Sequence, residues 1–420
     1  MRAFDAWRKA GAAAALAAAL LWGAAAQAAE PIKIGCSMAM TGGVAAIGKQ
    51  VLAAIKIWQG DINKKGGLLG RPVDLIYYDD QSNPSLVPGI YTKLIEVDKV
   101  DLLIGPYATN MVAAAIPVLM QNKKTTISIL ANAANNKFHY NRYFSMIPSG
   151  PEPAKSFSTG FFDIAMTHKS ELKTVAIIGA DAEFSQNAIE GARENLKTLP
   201  FTVIFDRNYP PQTTDYAPIM RAVQAVNPDI VYAAAYPPDT VGIIRAANEI
   251  GLTPKMFGGT FIGLIITAVK MQLGPLANGI VTNEGFLKNE KLNFPGLEDM
   301  LAEYRPIAAK EGMDPLGYAF PPYGYATAQV LQQAVEGTNG LDQDKIAQYI
   351  HTHTFHTVAG DLSFGPDGEW TKERTFFVQY QHVAGNGIDQ FRDGSKEPIL
   401  WPADYKTGDF VFPYAKAKQP

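Results

Sequence analysis

The segment Thr41–Gln50 (TGGVAAIGKQ) follows an apolar run and nearly matches a phosphate-binding P-loop. Gly43 is followed by four residues, then by Gly48 and a lysine, but Gln50 stands where a P-loop has the hydroxyl that ligates Mg²⁺. The acidic end of Tyr77–Asp80 (YYDD) could complete a nucleotide site. A glycine-rich turn before a helix explains the same residues, and the amides of such a helix could bind another anion, such as a carboxylate. The missing hydroxyl favours these two interpretations over a nucleotide site.

Three histidines, His351, His353 and His356, are close enough in sequence to suggest zinc ligation. No fourth ligand accompanies them, which favours a polar helix end. The sequence contains no HExxH, GxSxG or CxxC motif, and no Ser, His and Asp arrangement stands out. We therefore expect no metal, no cofactor and no enzymatic activity.

Aromatic and hydroxyl residues collect where apolar runs end. Gly105–Asn110 (GPYATN) ends one predicted strand, and the segment ILANAAN from Ile129 ends another. In the second half of the chain the residues at such ends are Asp181, Glu183, Phe184, Tyr236, Thr260 and Phe261. Ligands of open α/β sheets bind beyond the carboxyl ends of the strands. This distribution predicts a cleft shared by two sheets.

The first 28 residues have the features of an export signal. Three basic residues precede an unbroken run of small and apolar residues, and Ala26-Gln27-Ala28 matches a signal-peptidase site. The apolar run is rich in alanine and shorter than the roughly 20 residues of a membrane span. We expect cleavage after residue 28 and a periplasmic protein.

Charge and length restrict the possible functions of the remaining chain. Without the first 28 residues the net charge is −5, and no basic stripe is present, so nucleic acid is not an expected partner. The 420 residues, 47% of them hydrophobic, are enough for two cores. The single cysteine, Cys36, excludes an internal disulfide.

Short apolar runs alternate with amphipathic segments in two series. The predicted strands are Ile32–Met38, Val73–Tyr78, Asp101–Gly105 and Thr126–Leu130, then Thr174–Ile178, Phe201–Phe205, Asp229–Ala235 and Lys255–Gly258. A spacing of about one strand plus one crossover helix is typical of doubly wound parallel sheets. The runs are continuously apolar, as expected for strands covered on both faces. The predicted fold class is α/β, with two such sheets.

The breaks between the series indicate that the chain crosses between two lobes more than once. Ser145–Pro153 is rich in proline and glycine where the first series ends. From about Glu284 the pattern is mainly helical, and it ends in a hairpin-like segment with a turn at Gly365–Gly368.

Four segments together resemble the leucine/isoleucine/valine-binding family of type I periplasmic binding proteins, which serve ABC importers. They are IKIG…TGGVAAIGKQ, INKKGGLLGRPVDLIYYDD, IGP at 104–106, and AAYPPDTVGIIRAANEIGL. The resemblance implies two Rossmann-like lobes, joined by a hinge of three crossing segments, with the ligand held in the cleft between them. We expect lobe 1 to comprise residues 29–147 plus 284–356, and lobe 2 residues 148–283 plus 357–420.

The resemblance also implies a binding site. Ligand carboxylates in the family are held by hydroxyls and amides of the first lobe, and second-lobe aromatics close over the ligand. The matching first-lobe positions are Tyr107, Ala108, Thr109, Leu130, Ala131 and Asn132, and the matching aromatics are Phe184 and Tyr236. Thr260 stands where amino-acid-binding members place an acid for the ligand's ammonium group.

The substitution at Thr260 leaves two classes of ligand open. A buried ammonium group without a carboxylate is costly, so Asp181, Glu183 or Glu284 pairs with it, or the ligand lacks an amine. The expected function is capture of a small hydrophobic or aromatic amino acid or carboxylate by hinge closure, for delivery to membrane permease subunits. The alternative is a receptor of the same fold that senses an aromatic acid or amide.

Overall fold

The computed structural model describes residues 30–418, so the predicted signal peptide at residues 1–28 lies outside the described residues. The described chain forms two α/β lobes. Its helices, in chain order, are α1 (Ala45–Lys64), α2 (Val87–Glu96), α3 (Thr109–Gln121), α4 (Pro153–Met166), α5 (Glu183–Leu196), α6 (Ala217–Val226), α7 (Pro237–Glu249), α8 (Thr267–Leu273), α9 (Leu297–Glu311), α10 (Pro321–Thr338), α11 (Gln343–Thr352) and α12 (Tyr414–Ala417). None of the helices within residues 30–418 combines the length and apolar character needed to span a bilayer.

The first lobe is built on a five-stranded parallel sheet. Its strands are β1 (Ile32–Met38), β2 (Val73–Asp79), β3 (Leu102–Tyr107), β4 (Thr126–Ile129) and β5 (Tyr143–Ser145). Their order across the sheet is β2–β1–β3–β4–β5. Every residue of β3 and β4 is buried, because helices cover both faces of the sheet.

The second lobe is built on a seven-stranded mixed sheet. Its strands are β6 (Thr174–Ala180), β7 (Thr202–Tyr209), β8 (Ile230–Ala235), β9 (Met256–Phe261) and β10 (Val281–Glu284), completed later in the chain by β13 (Phe376–Gln379) and β14 (Ile399–Trp401). The order is β14–β13–β10–β9–β8–β6–β7, and the last two strands in sequence pair antiparallel. Between them in sequence lies a separate two-stranded hairpin of β11 (Phe355–Thr357) and β12 (Gly360–Leu362). All eight predicted strands are therefore confirmed, whereas β5, β10, β11 and β14 were not predicted.

Helix α1 shows how the sequence pattern fixes the packing of the first lobe. Val51, Ile55, Trp58 and Ile62 are all buried, as the helical spacing predicts. The helix ends before Gly67, which has a positive φ of 82°. Its amide donates a hydrogen bond to the Ile62 carbonyl. That left-handed conformation suits glycine, so the predicted stop is confirmed.

The chain crosses between the lobes three times. It leaves the first sheet after β5 and returns to the first lobe after β10. The return is shown by the packing of α10 on α1, which includes a hydrogen bond from Trp58 Nε1 to Gln332 Oε1 (2.9 Å). The hairpin that follows also contacts the first lobe. Gly368 O accepts a hydrogen bond from Ser145 N (2.8 Å), and the Phe144 and Phe364 rings lie 5.3 Å apart.

These contacts place the last crossing later than the expected boundary at residue 357. The predicted turn forms, since Gly368 N donates to Gly365 O. The chain then reaches the hinge, where Arg374 N donates to Pro148 O (2.7 Å), and β13 enters the second sheet. From these contacts we propose that residues 357–370 belong to the first lobe.

Candidate functional site

A cavity lies between the lobes, at the carboxyl ends of strands from both sheets. It contains roughly 740 Å³ of space, its open mouth included, and most of its wall is apolar. Six of the predicted site residues line it: Tyr107, Ala108, Thr109, Leu130, Phe184 and Tyr236. They end or follow β3, β4, β6 and β8, so the cavity lies where ligands of open α/β sheets bind, in both lobes.

Thr109 supplies the clearest polar group on the first-lobe side. The residue is 1% exposed, and its Oγ1 accepts a hydrogen bond from the backbone amide of Asn132 (2.9 Å). Its hydroxyl hydrogen has no acceptor among the described residues, so it can donate to a ligand. Thr109 also begins α3, which no side chain caps. The first amides of the helix therefore lack acceptors and favour an anion beside them.

Two aromatic rings form the facing wall on the second lobe. Phe184 and Tyr236 pack edge to face, with ring centroids 5.3 Å apart. Tyr236 directly precedes α7, which starts with two prolines. The buried carboxylate of Asp239 accepts hydrogen bonds from the Tyr209 and Tyr216 hydroxyls (3.0 and 2.8 Å), which fixes the start of this helix.

The lobes are in contact across the mouth of the cavity. The Tyr236 hydroxyl donates to Asn110 Oδ1 (2.6 Å) and accepts from the Phe184 amide (3.2 Å). Asn187 Nδ2 donates to the Asn132 carbonyl (2.9 Å). An exposed ion pair joins Lys137 to Glu183 (2.8 Å). These bonds between first-lobe and second-lobe residues define a closed arrangement.

A buried charge cluster adjoins the cavity at the end of β10. Glu284 lines the cavity and is 1% exposed. Lys270 Nζ lies 3.4 Å from Glu284 Oε1 and 2.6 Å from Glu397 Oε2. Burial raises the pKa of Glu284, the neighbouring Glu397 carboxylate also raises it, and the Lys270 ammonium lowers it.

A sequence model of the periplasmic binding protein family matches residues 31–386. The chain belongs to this family. The Leu/Ile/Val-binding protein of Escherichia coli (strain K12) is 25% identical over 373 residues, which cover 86% of this chain and 94% of that relative. This relative, like the Leu/Ile/Val-binding protein of Citrobacter freundii, is named as a binding protein and not as an enzyme.

Two solved structures have folds similar to that of this periplasmic binding protein. A solute-binding protein of an ABC transporter from R. palustris, in complex with 4-hydroxybenzoate, has a TM-score of 0.70 at 20% identity, covering 85% of this chain and 94% of that one. The LivJ protein of Streptococcus pneumoniae, in complex with isoleucine, also has a TM-score of 0.70, at 18% identity and with coverages of 89% and 100%.

Three predicted site residues of this binding protein lie behind the cavity wall. The Thr260 side chain is fully buried and its hydroxyl donates to the Phe157 carbonyl (2.8 Å), so this predicted site residue does not line the cavity. Ala131 and Asn132 are also fully buried and do not line the cavity. Asn132 acts through its backbone amide, which holds the Thr109 hydroxyl in place.

The sequence analysis missed much of the second-lobe and hinge surface of the cavity. Residues that line it without having been singled out include Ile147, Pro148, Phe157, Ile262, Ile265, Asn283 and Thr375. Ile147 and Pro148 lie in the proline- and glycine-rich segment that the sequence analysis noted. No local pattern distinguishes Phe157 from other buried aromatic residues. Of the three candidate acids, only Glu284 lines the cavity, since Glu183 pairs with Lys137 and Asp181 accepts from Gln186.

The near-P-loop and the histidine group have structural explanations. A Cβ atom at Gly48 would lie 2.1 Å from the Ala39 carbonyl oxygen, so glycine lets α1 pass close to the end of β1. His353 directly follows α11, His356 pairs with Asp361 (2.7 Å), and the nitrogens of His351 face backbone carbonyls. Within residues 30–418, no three His, Cys, Asp or Glu side chains form a group that could hold a metal ion.

Proposed function

We propose that this periplasmic binding protein captures a small apolar or aromatic carboxylate, amino acids included, and delivers it to the permease subunits of an ABC importer. The observation that carries the proposal is the interlobe cavity, with apolar walls and a donor-rich end at Thr109. Such a cavity suits a ligand with a hydrophobic body and one anionic group.

The first-lobe end of the cavity fits the anionic group. The Thr109 hydroxyl has a hydrogen to donate, and the uncapped amides at the start of α3 provide further donors. Ala108 lines the same end in a backbone conformation with a φ of 79°. Such a strained conformation in a non-glycine residue is a frequent feature of ligand sites.

The ligands named for two structural relatives share this chemistry. Isoleucine and 4-hydroxybenzoate each carry a carboxylate on an apolar body. Phe184, Tyr236 and Phe320 would pack against that body in this chain. Closure around it removes water, which strengthens each hydrogen bond in the site. The closed lobes would then be the form that the permease recognises.

A thermal-shift screen tests the proposal on the purified chain from residue 29 onward. The panel contains hydrophobic and aromatic amino acids and the corresponding carboxylates. We expect saturable stabilisation by at least one compound, of about 2.7 kcal/mol when its concentration is 100 times the dissociation constant. The bound compound should be recovered unaltered by mass spectrometry. Absence of stabilisation across the panel, or conversion of the compound, would contradict the proposal.

A further inference from the structure

A cavity that shares no lining residue with the interlobe cavity has a basic wall, and we call it the basic cavity. It contains roughly 530 Å³ of space, its open mouth included. Its lining residues are Lys288, Arg305, Leu316, Tyr318 and Arg392. Three of these five side chains carry a positive charge, and none of them is acidic. The composition of the wall therefore favours an anion.

The three cations come from separate segments and from both lobes. Arg305 lies on α9, which packs on α1 of the first lobe, where Lys64 pairs with Glu303 (3.7 Å). Lys288 lies just beyond the end of β10. Arg392 belongs to the connection between β13 and β14 of the second sheet. The basic cavity is thus a second place, outside the cleft, where the lobes meet.

The Tyr318 ring positions two of the three cations. The Lys288 ammonium and the Arg305 guanidinium each lie 5.7 Å from its centroid, which is within the range of a cation–π contact. Arg305 Nη2 also donates a hydrogen bond to the Tyr318 hydroxyl (3.2 Å). Side chains that are already held in place lose less conformational entropy when they bind a ligand.

No buried counter-charge neutralises these cations. Lys288 takes part in none of the ion pairs within residues 30–418. Arg305 lies 3.6 Å from Glu298, and Arg392 lies 2.7 Å from Asp389. The two acidic side chains are 50% and 86% exposed, and neither lines the basic cavity. Because such exposed pairs contribute little free energy, a more highly charged anion can compete with them.

We propose that the basic cavity binds a dianionic phosphate group, held by Lys288, Arg305 and Arg392 across the two lobes. Guanidinium groups match phosphate oxygens with paired hydrogen bonds, and lysine adds a point charge. Leu316 and the Tyr318 ring leave an apolar surface beside the phosphate. The occupant is therefore inorganic phosphate or a small phosphate monoester. The site is separate from the interlobe cavity, so it goes beyond the proposed function and requires no captured solute.

Calorimetry on the purified chain from residue 29 onward tests the proposal. The probes are inorganic phosphate and glycerol 3-phosphate at pH 8, with the ionic strength held constant by sodium chloride so that screening does not change. We expect saturable binding of at least one probe, with one site per chain and a dissociation constant of about 1 mM or lower. Tighter binding of glycerol 3-phosphate would identify a monoester as the occupant, and tighter binding of phosphate would identify the free ion. Absence of saturable binding at this affinity would overturn the proposal.

Three arginine variants locate the bound probe. Arg305→Gln and Arg392→Gln should each weaken its binding at least about tenfold, since each removes hydrogen bonds to a charged group. Arg221→Gln is the matched control, at an exposed arginine on α6 that does not line the basic cavity. Equal weakening in all three variants would show a general effect of net charge and overturn the site. Weakening in only one of the two site variants would overturn the bridge between the lobes.

Discussion

The Tyr236 hydroxyl donates a 2.6 Å hydrogen bond to Asn110 Oδ1, and this bond joins the two lobes beside the cavity. The same hydroxyl accepts from the amide of Phe184 at the start of α5. One phenol therefore links a first-lobe helix, a second-lobe helix and the wall of the cavity. Because the bond spans the lobes, it stabilises the closed arrangement selectively, and a ligand shifts the equilibrium only through such differences between states.

Tyr236→Phe should weaken ligand binding about three- to tenfold. The variant keeps the ring against Phe184 but loses a hydrogen bond with a net contribution of about 0.5–1.5 kcal/mol. Calorimetry of Tyr236→Phe, Asn110→Ala and the double variant measures the coupling between the two residues. We expect less than additive losses, because either change alone removes the bond. Tyr325→Phe, which removes a phenol bonded to Asp61 away from the cavity, is the control. Fully additive losses would contradict a role for the bond in closure.

Thr109→Ala should weaken carboxylate binding by roughly 1–3 kcal/mol, because it leaves a buried ligand oxygen without a donor. It also removes the acceptor for the Asn132 amide. Thr109→Ser should restore most of the affinity, since it retains the hydroxyl. Thr338→Ala, at a hydroxyl bonded within α10, is the matched control and should leave calorimetric affinity unchanged. Unchanged affinity in Thr109→Ala would remove this residue from the site.

The central strands were predictable because each is a largely apolar run buried on both faces, whereas the edge strands β2 and β7 are mostly exposed or half-buried. Thr174–Ala180 and Ile230–Ala235 illustrate the central strands, with almost every residue buried. The three-residue strand β5 was missed because so short a segment has no readable period. The antiparallel return of β13 was mistaken for half of a hairpin, because pairing with β10 is decided by contacts nearly 100 residues away in the chain.

The position of the interlobe cavity was predictable from the sequence, but the arrangement of its polar groups was not. Strand ends located Thr109 and Tyr236, since the topology brings all such ends together. Whether a hydroxyl at a strand end faces the cavity depends on its other hydrogen-bond partners. The Thr260 hydroxyl already donates to the Phe157 carbonyl. The environment of Glu284 depends on Glu397, which is more than 100 residues further along the chain. Sequence spacing carries no information on such pairs.

Glu369→Gln should make the stability of the unliganded protein less dependent on pH. Burial raises the pKa of Glu369 to about 8, and both carboxylate oxygens lack hydrogen-bond partners. Between about pH 4.5 and pH 8 the folded wild type holds a proton that the unfolded chain has lost, so its stability falls as the pH rises. The Gln variant avoids this loss at Glu369. Denaturant unfolding at several pH values should show it more stable than wild type at pH 8. Glu96→Gln, on an exposed side chain, should keep the wild-type slope.

Gly48→Ala and Gly60→Ala should have opposite effects although both lie in α1. At Gly48 the added methyl group would lie 2.1 Å from the Ala39 carbonyl oxygen, so the helix must move away from β1. We expect a loss of about 1–3 kcal/mol in the free energy of unfolding, typical of overpacking. At Gly60 the added methyl group meets no atom within 4 Å, and alanine should stabilise the helix by roughly 0.5–1 kcal/mol. Denaturant unfolding measures both. Similar effects at the two positions would show that helix propensity, rather than the contact with Ala39, explains the glycine at position 48.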